Sequence, residues 1–252
     1  MPTSSASPPA EQLPARSVAV WAALDPVVGT GTSLRILDVG GGSGMFAVPL
    51  AQLGHDVTVV DPSADALATL RRRADTAGVG ERVRGLQGDG DLLHEVLPGH
   101  ADDAAPGDVG GYDLALCHWV LEVVDDPAVT LREIARALRP GGQVSLAAVN
   151  RAGAVLARAV SGHPVEALAL HEDRDSAPHR ARRRFTPADL LALVDGAGLQ
   201  PGTWRGVSVV ADLLDANSGA ATDAVRALEL ALAETSPYRD VANGLHVLAV
   251  RT

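Results

Sequence analysis

Ile36-Leu37-Asp38-Val39-Gly40-Gly41-Gly42-Ser43-Gly44 is the stretch on which the fold turns. An apolar run ends in an acid, passes through alternate glycines, and continues into helical apolar spacing as far as Leu53. That order reads as a strand, a tight turn and a helix. Glycine permits the turn and lets backbone N–H groups approach a ligand with no Cβ in the way.

The alternation continues outward. Residues 57–61 read as a second strand, followed by a helix over about 64–77. Residues 83–87 and 112–117 read as the third and fourth strands, separated by a Gly-, Asp- and Pro-rich loop. Leu131, Ile134, Ala135 and Leu138 line one face of a helix that stops at Arg139-Pro140-Gly141-Gly142, and a fifth strand covers 144–149. Strands alternating with helices predict an α/β fold, a mostly parallel, doubly wound, Rossmann-like sheet covered on both faces. A helix over 17–28 leads in, and a short helix covers 152–160. Residues 162–184 are polar and read as a loop or lid. Thr186-Pro187 begins a helix with a good cap and a proline at the first position. Residues 204–210 and 245–251 read as the last two strands, with a helix over about 223–234 between them. Residues 1–15, rich in Pro, Ser and Ala, read as a disordered lead, and 16–252 as one domain with a lid or substrate-side insertion at about 151–185.

The chain has 252 residues and is 46% hydrophobic, enough for one sizeable core. No apolar run reaches the roughly 18 residues needed to span a bilayer. The N-terminus lacks a signal-peptide pattern, and Cys117 has no second cysteine to pair with, so a reduced, cytoplasmic setting is expected. A lone cysteine and scattered histidines also predict no metal site. The net charge is −10 and every positive side chain is Arg, which argues against broad, nonspecific nucleic-acid binding.

Charge then selects the ligand. Gly42-Ser43-Gly44-Met45-Phe46-Ala47 also matches the dinucleotide pattern G-x-G-x-x-A, with Asp61 about 20 residues on. A pyrophosphate, however, would lie close to the carboxylate of Asp38. S-adenosylmethionine carries a sulfonium and an ammonium, which suit an acid at a strand end. Asp61, followed by Pro62 and Ser63, has two readings: acceptor for a ribose diol, or a helix N-terminal acid that caps backbone N–H groups. Asp89, before Gly90, is placed to accept from an adenine amino group, with Asp91 as a competitor and a plain turn role open to either.

At these residues the sequence resembles the class I methyltransferases. The glycines Gly40, Gly42 and Gly44, the acids Asp38, Asp61 and Asp89, and the 138–142 turn fall in that family's order. The resemblance implies a seven-stranded sheet with the last strand antiparallel, and implies that Cys117 and His118 line the methionine end of S-adenosylmethionine, chiefly through backbone groups. It also implies S-adenosylhomocysteine as product. A narrower likeness exists. The stretch 117–127, Asn150, the Arg-rich run 180–184 before Phe185-Thr186-Pro187, Ser236-Pro237-Tyr238 and His246 resemble the bacterial tRNA 5-carboxymethoxyuridine methyltransferase family, which esterifies a carboxylate on a modified wobble uridine. Asn243 and Gly244 depart from the polar and aromatic residues expected there.

Methyl transfer is an in-line displacement, and alignment is the main task. A carboxylate acceptor is already ionised at neutral pH and needs no base. A hydroxyl or amine needs one, for which His118 is the candidate; the other reading is a packing or hydrogen-bonding histidine. Arg180, Arg182, Arg183 and Arg184, with Tyr238, are the candidate substrate contacts. The arginines either dock an anion such as a tRNA phosphate or pair with Glu172, Asp173 and Asp175. The expected activity is methyl transfer to a tRNA wobble-uridine carboxylate. The alternatives are a small-molecule O- or N-methyltransferase and a non-catalytic S-adenosylmethionine-binding protein.

Overall fold

The computed structural model describes residues 14–97, 111–172, 183–214 and 222–252. Seven strands form one sheet: β1 (Arg35–Val39), β2 (Asp56–Asp61), β3 (Val83–Gln87), β4 (Tyr112–His118), β5 (Leu138–Val149), β6 (Leu199–Val207) and β7 (Gly244–Arg251), in the order β3-β2-β1-β4-β5-β7-β6. The pairs from β3 to β5 are parallel, and β7 runs antiparallel to both β5 and β6. Strand order reverses between β1 and β4, so a crevice opens at their carboxyl ends, where doubly wound sheets bind ligands.

Nine helices flank the sheet among the described residues: α1 (Val18–Val28), α2 (Ala47–Gln52), α3 (Ala64–Thr76), α4 (Leu93–Val96), α5 (Pro127–Ala137), α6 (Arg151–Val160), α7 (Pro164–Glu172), α8 (Pro187–Gly196) and α9 (Thr222–Leu232). Local chemistry sets several starts. Ser63 accepts from the Ala66 N–H, Asp126 from the Ala128 and Val129 N–H groups, and Thr186 with Asp189 forms a reciprocal capping box. Alternate strand residues divide between two apolar layers. Leu37, Val39, Ala115 and Cys117 pack with α5 and α8; Ile36, Val57, Leu114 and Leu116 pack with Trp21 and Leu24 of α1 and Leu70 of α3. With both faces covered, the central strands read as nearly continuous apolar runs.

Four expectations need correction. Residues 164–172 form α7 rather than loop: Pro164 occupies a first-turn position where its missing N–H costs nothing, and the helix packs along α6. The turn at 139–142 does not separate helix from strand; it is an irregularity inside β5, where the register passes from Tyr112↔Leu138 to Leu114↔Gln143. The lead does not stay irregular to residue 15, because Ala15–Ser17 forms a 3-10 turn ahead of α1. Residues 1–13 lie outside the described residues. The sixth strand also begins earlier than expected, at Leu199.

Candidate functional site

The glycine stretch occupies the crevice at the switch point. Gly40, Gly42 and Gly44 take left-handed φ values of 67°, 55° and 79°. Close approach adds a second demand. A Cβ on Gly40 would stand 2.4 Å from Val120 Cγ2, and one on Gly41 would stand 2.4 Å from Asp38 Oδ2. The loop is tied down by the Gly40 N–H donating to Val60 O at 2.7 Å and by the Gly42 N–H donating to Asp61 Oδ2 at 2.9 Å.

Asp38 is only 3% exposed. Burial, and then the nearby charge of Asp61, push its carboxyl up to about 7. A cation beside it would relieve both effects, whereas a phosphate would add a third negative charge. Asp61 closes β2 with Oδ1 accepting from the Ser63 N–H and Oδ2 from the Gly42 N–H, both at 2.9 Å. Each carboxylate oxygen keeps a second lone pair, so the capping and diol-binding readings of Asp61 are compatible in one side chain. Pro62 is exposed, and its carbonyl accepts from Gln87 Nε2 at 3.1 Å.

Asp89 and Asp91 separate clearly. Asp91 accepts from Thr130 Oγ1 and from the Asp126 N–H, which ties it to the start of α5. Asp89 is exposed and its side chain caps nothing. A Cβ on Gly90 would stand 3.1 Å from Val39 Cγ1, so the Asp89-Gly90 turn abuts the end of β1.

The Cys117 side chain is fully buried in the core, and burial raises its thiol far above the usual range. Only its backbone remains for a ligand. His118 is partly buried; its Nε2 hydrogen-bonds Ser145 Oγ at 2.8 Å, and Ser145 Oγ bonds His246 Nε2 at 2.8 Å. Burial lowers His118 to about 3 and lowers His246 as well. Both rings are therefore neutral at pH 7. A histidine so unwilling to take a proton is a poor base, and its environment favours the hydrogen-bonding reading of His118. Phe46 meets His118 edge-on at 4.6 Å and stacks on Trp21 at 5.1 Å, which links α1 to the end of β4.

The substrate candidates scatter. Arg183 donates to the carbonyls of Val124 and Asp125, and its N–H donates to Glu122 O at 3.1 Å. It therefore works internally, holding the loop after β4. Arg184 instead lines a cavity beside α6. Tyr238 heads a 3-10 turn at Arg239–Val241 and is 49% exposed. Arg180, Arg182, Asp173 and Asp175 lie outside the described residues. Sequence reasoning missed Ser145, and took Trp119, Glu122 and Asn150 only as carriers of a resemblance, with no structural role. Buried Asn150 donates to Asp240 O and Ala242 O, and Glu122 accepts from the Val149 N–H at 2.5 Å, so the loops bounding the crevice are anchored by side chains remote in sequence. Among the described residues, no group of three or more His, Cys, Asp or Glu is arranged to hold a metal ion, and no helix is long and apolar enough to cross a membrane.

The profile of the methyltransferase domain family matches residues 37–146, the segment that builds this crevice. The tRNA 5-carboxymethoxyuridine methyltransferase of Escherichia coli (strain K12) is 30% identical over 241 residues, covering 93% of this chain and 87% of that protein. The chain belongs to the class I S-adenosylmethionine-dependent methyltransferases. The ubiquinone biosynthesis O-methyltransferase of Xanthomonas axonopodis pv. citri (strain 306) is 31% identical over 189 residues, covering 74% of this methyltransferase and 69% of the relative. An S-adenosylmethionine-dependent methyltransferase from Mesorhizobium loti shares the fold at a TM-score of 0.60 and 24% identity, covering 92% of this chain and 98% of that one. The crevice fits the cofactor on its own terms: a buried acid awaits a cation, and the glycine loop leaves room where side chains would intrude.

Proposed function

We propose that this methyltransferase esterifies a carboxylate, namely that of a 5-carboxymethoxyuridine at the wobble position of tRNA. One observation carries the carboxylate: the histidine at the mouth of the crevice, His118, has its Nε2 engaged by Ser145 and its pKa held near 3 by burial. A hydroxyl or amine acceptor needs a base there, whereas a carboxylate arrives ionised. The likeness to the tRNA enzyme extends through the C-terminal half, which supports the finer reading.

In this proposal Asp38 faces the cationic end of the cofactor and the N–H groups of the Gly40–Gly44 loop line its path. Asp61, with Pro62 and Ser63 beside it, receives the ribose diol, Asp89 and Gly90 lie against adenine, and the backbone of Cys117 and His118 borders the methionine portion. S-adenosylmethionine supplies a sulfonium-activated methyl group when bound. The residues align and desolvate the acceptor, and no proton has to move.

A small-molecule acceptor is the second reading, favoured by the internal engagement of Arg183 and by the likeness to the ubiquinone-pathway enzyme. The deciding experiment is mass spectrometry of tRNA nucleosides after incubating the protein and S-adenosylmethionine with tRNA bearing 5-carboxymethoxyuridine. A base-labile gain of one methyl group on that nucleoside is expected. Its absence, with the cofactor bound, rejects the tRNA acceptor.

A further inference from the structure

Ser145 joins two buried imidazoles through one hydroxyl. Its Oγ lies 2.8 Å from His118 Nε2 and 2.8 Å from His246 Nε2. A hydroxyl has a single proton, so it donates to one ring and accepts from the other. Two Nε2–H donors on the same oxygen would leave the hydroxyl proton of fully buried Ser145 without an acceptor. The rings therefore hold opposite tautomers, one protonated on Nδ1 and the other on Nε2. Both Nδ1 atoms are buried, and neither has a hydrogen-bond partner among the described residues. One of them is thus a buried donor with no acceptor, a costly state that a ligand relieves.

The charge on β6 selects which one. The strands β4, β5, β7 and β6 lie side by side. Arg205 of β6 opposes His246 of β7, His246 opposes Ala147 of β5, and Ala147 opposes His118 of β4. Directly opposed residues share a sheet face, and so does Ser145, two residues before Ala147. Arg205 and Ser145 therefore flank His246 from opposite sides. Burial, then His118 and the charge of Arg205, hold His246 well below the usual histidine range. A neutral imidazole beside a guanidinium is more stable with its lone pair on that side. Glu234 pairs with Arg205 Nη2 at 3.0 Å and does not reverse this preference, because the buried Nε–H, with no acceptor, remains a positive dipole. His246 Nε2–H then donates to Ser145 Oγ, the Ser145 hydroxyl donates to His118 Nε2, and His118 is left with Nδ1–H. The two nitrogens of an imidazole point to nearly opposite flanks of the ring. With Nε2 directed at β5, His118 Nδ1 lies on the flank away from it, and Phe46, just after the cofactor loop, meets the ring edge-on at 4.6 Å.

We propose that His118 Nδ1–H is the hydrogen-bond donor that binds the acceptor carboxylate, and that Arg205 is a positioning residue that fixes the proton order along His246, Ser145 and His118. This rests on the carboxylate reading above. One carboxylate oxygen accepts from His118. The other forms the bond to the methyl carbon as the carbon–sulfur bond breaks, its electron pair passes to sulfur, and no proton moves.

The test reads imidazole tautomers by long-range proton–nitrogen NMR of histidine-labelled protein saturated with S-adenosylhomocysteine. His118 should be protonated on Nδ1 and His246 on Nε2. Arg205→Gln should mix the two orders, and Arg205→Lys should restore the first. Glu234→Gln breaks the same ion pair and should leave the order unchanged. The opposite order in the wild type, an order indifferent to Arg205→Gln, or a mixture in Glu234→Gln overturns the chain. The nucleoside 5-carboxymethoxyuridine should then shift the His118 Nδ1 resonance, and 5-methoxyuridine, which lacks the carboxylate, should not. Arg205→Gln should weaken binding of the carboxylate nucleoside roughly three- to tenfold, the worth of about one ordinary hydrogen bond, with S-adenosylhomocysteine affinity unchanged. A loss of S-adenosylhomocysteine affinity instead would put the donor on the cofactor and overturn the assignment. A His118 shift without methylation of carboxymethoxyuridine tRNA keeps the donor and moves the acceptor to another carboxylate. Methylation of that tRNA with no His118 shift rejects the donor and keeps the tRNA reading.

Discussion

Asp61 accepts the Gly42 N–H through Oδ2 at 2.9 Å, joining the end of β2 to the cofactor loop 19 residues earlier. The same carboxylate shapes the loop and, in the proposed role, offers its remaining lone pairs to a ribose. Asp61→Ala removes both. S-adenosylmethionine affinity should fall by about 1.5–3 kcal/mol, the range for hydrogen bonds to a charged group. Calorimetry with the cofactor checks this. An unchanged affinity would leave Asp61 as a loop anchor alone.

With Asp38 at the cationic end of the cofactor, as proposed, cofactor binding should depend on pH. Its folded pKa of about 7 lies above the reference value of 3.8. Between those values the folded chain holds a proton that the unfolded chain has lost. The stability contributed by this group is thus greatest below pH 3.8, declines as pH rises to about 7, and is constant above it. A cationic ligand prefers the ionised carboxylate, so S-adenosylmethionine affinity should rise with pH up to about 7 and then level off. Asp38→Asn should flatten this rise. Titrations across the neutral range decide it, and an equally steep wild-type and variant profile would assign the dependence to another group.

His118 should leave no mark on the pH profile of turnover. With its pKa near 3, it is neutral throughout the working range. For a carboxylate acceptor, kcat should stay flat from about pH 6 to 9. A limb near pH 6.5 that disappears in His118→Gln would restore the histidine as a base. Ser145→Ala leaves both imidazole Nε2 atoms without their shared hydroxyl, and should cost about 1–3 kcal/mol of stability by thermal or denaturant unfolding.

Arg183 should behave as a fold residue. Its guanidinium serves the carbonyls of Val124 and Asp125, so Arg183→Ala should lower the melting temperature and, if tRNA is the acceptor as proposed, leave the salt slope of its binding intact. A flatter slope at unchanged stability would return Arg183 to the RNA surface.

What the amino-acid sequence determined by itself was local. The acid and glycines at 38–44, the caps at Ser63, Asp126 and Thr186, and the alternating apolar runs act over a few residues, and they specify the strand–turn–helix units directly. The proposed cofactor segment was readable for that reason: Asp38, Asp61 and Asp89 stand at or after the ends of β1, β2 and β3, and parallel pairing brings those carboxyl ends together. Tertiary structure alone decided the surroundings of the candidate acceptor residues. Arg183 meets Val124 across 59 residues and Ser145 meets His246 across 101, while Trp119 overlies Gly244 only because β7 turns back antiparallel beside β5. Four arginines within five positions carried no information about direction; the fold turns Arg183 inward to backbone carbonyls and Arg184 toward a cavity shared with Arg158. Side-chain chemistry sets what each residue is able to bind, but burial and long-range pairing set which of those bonds it makes.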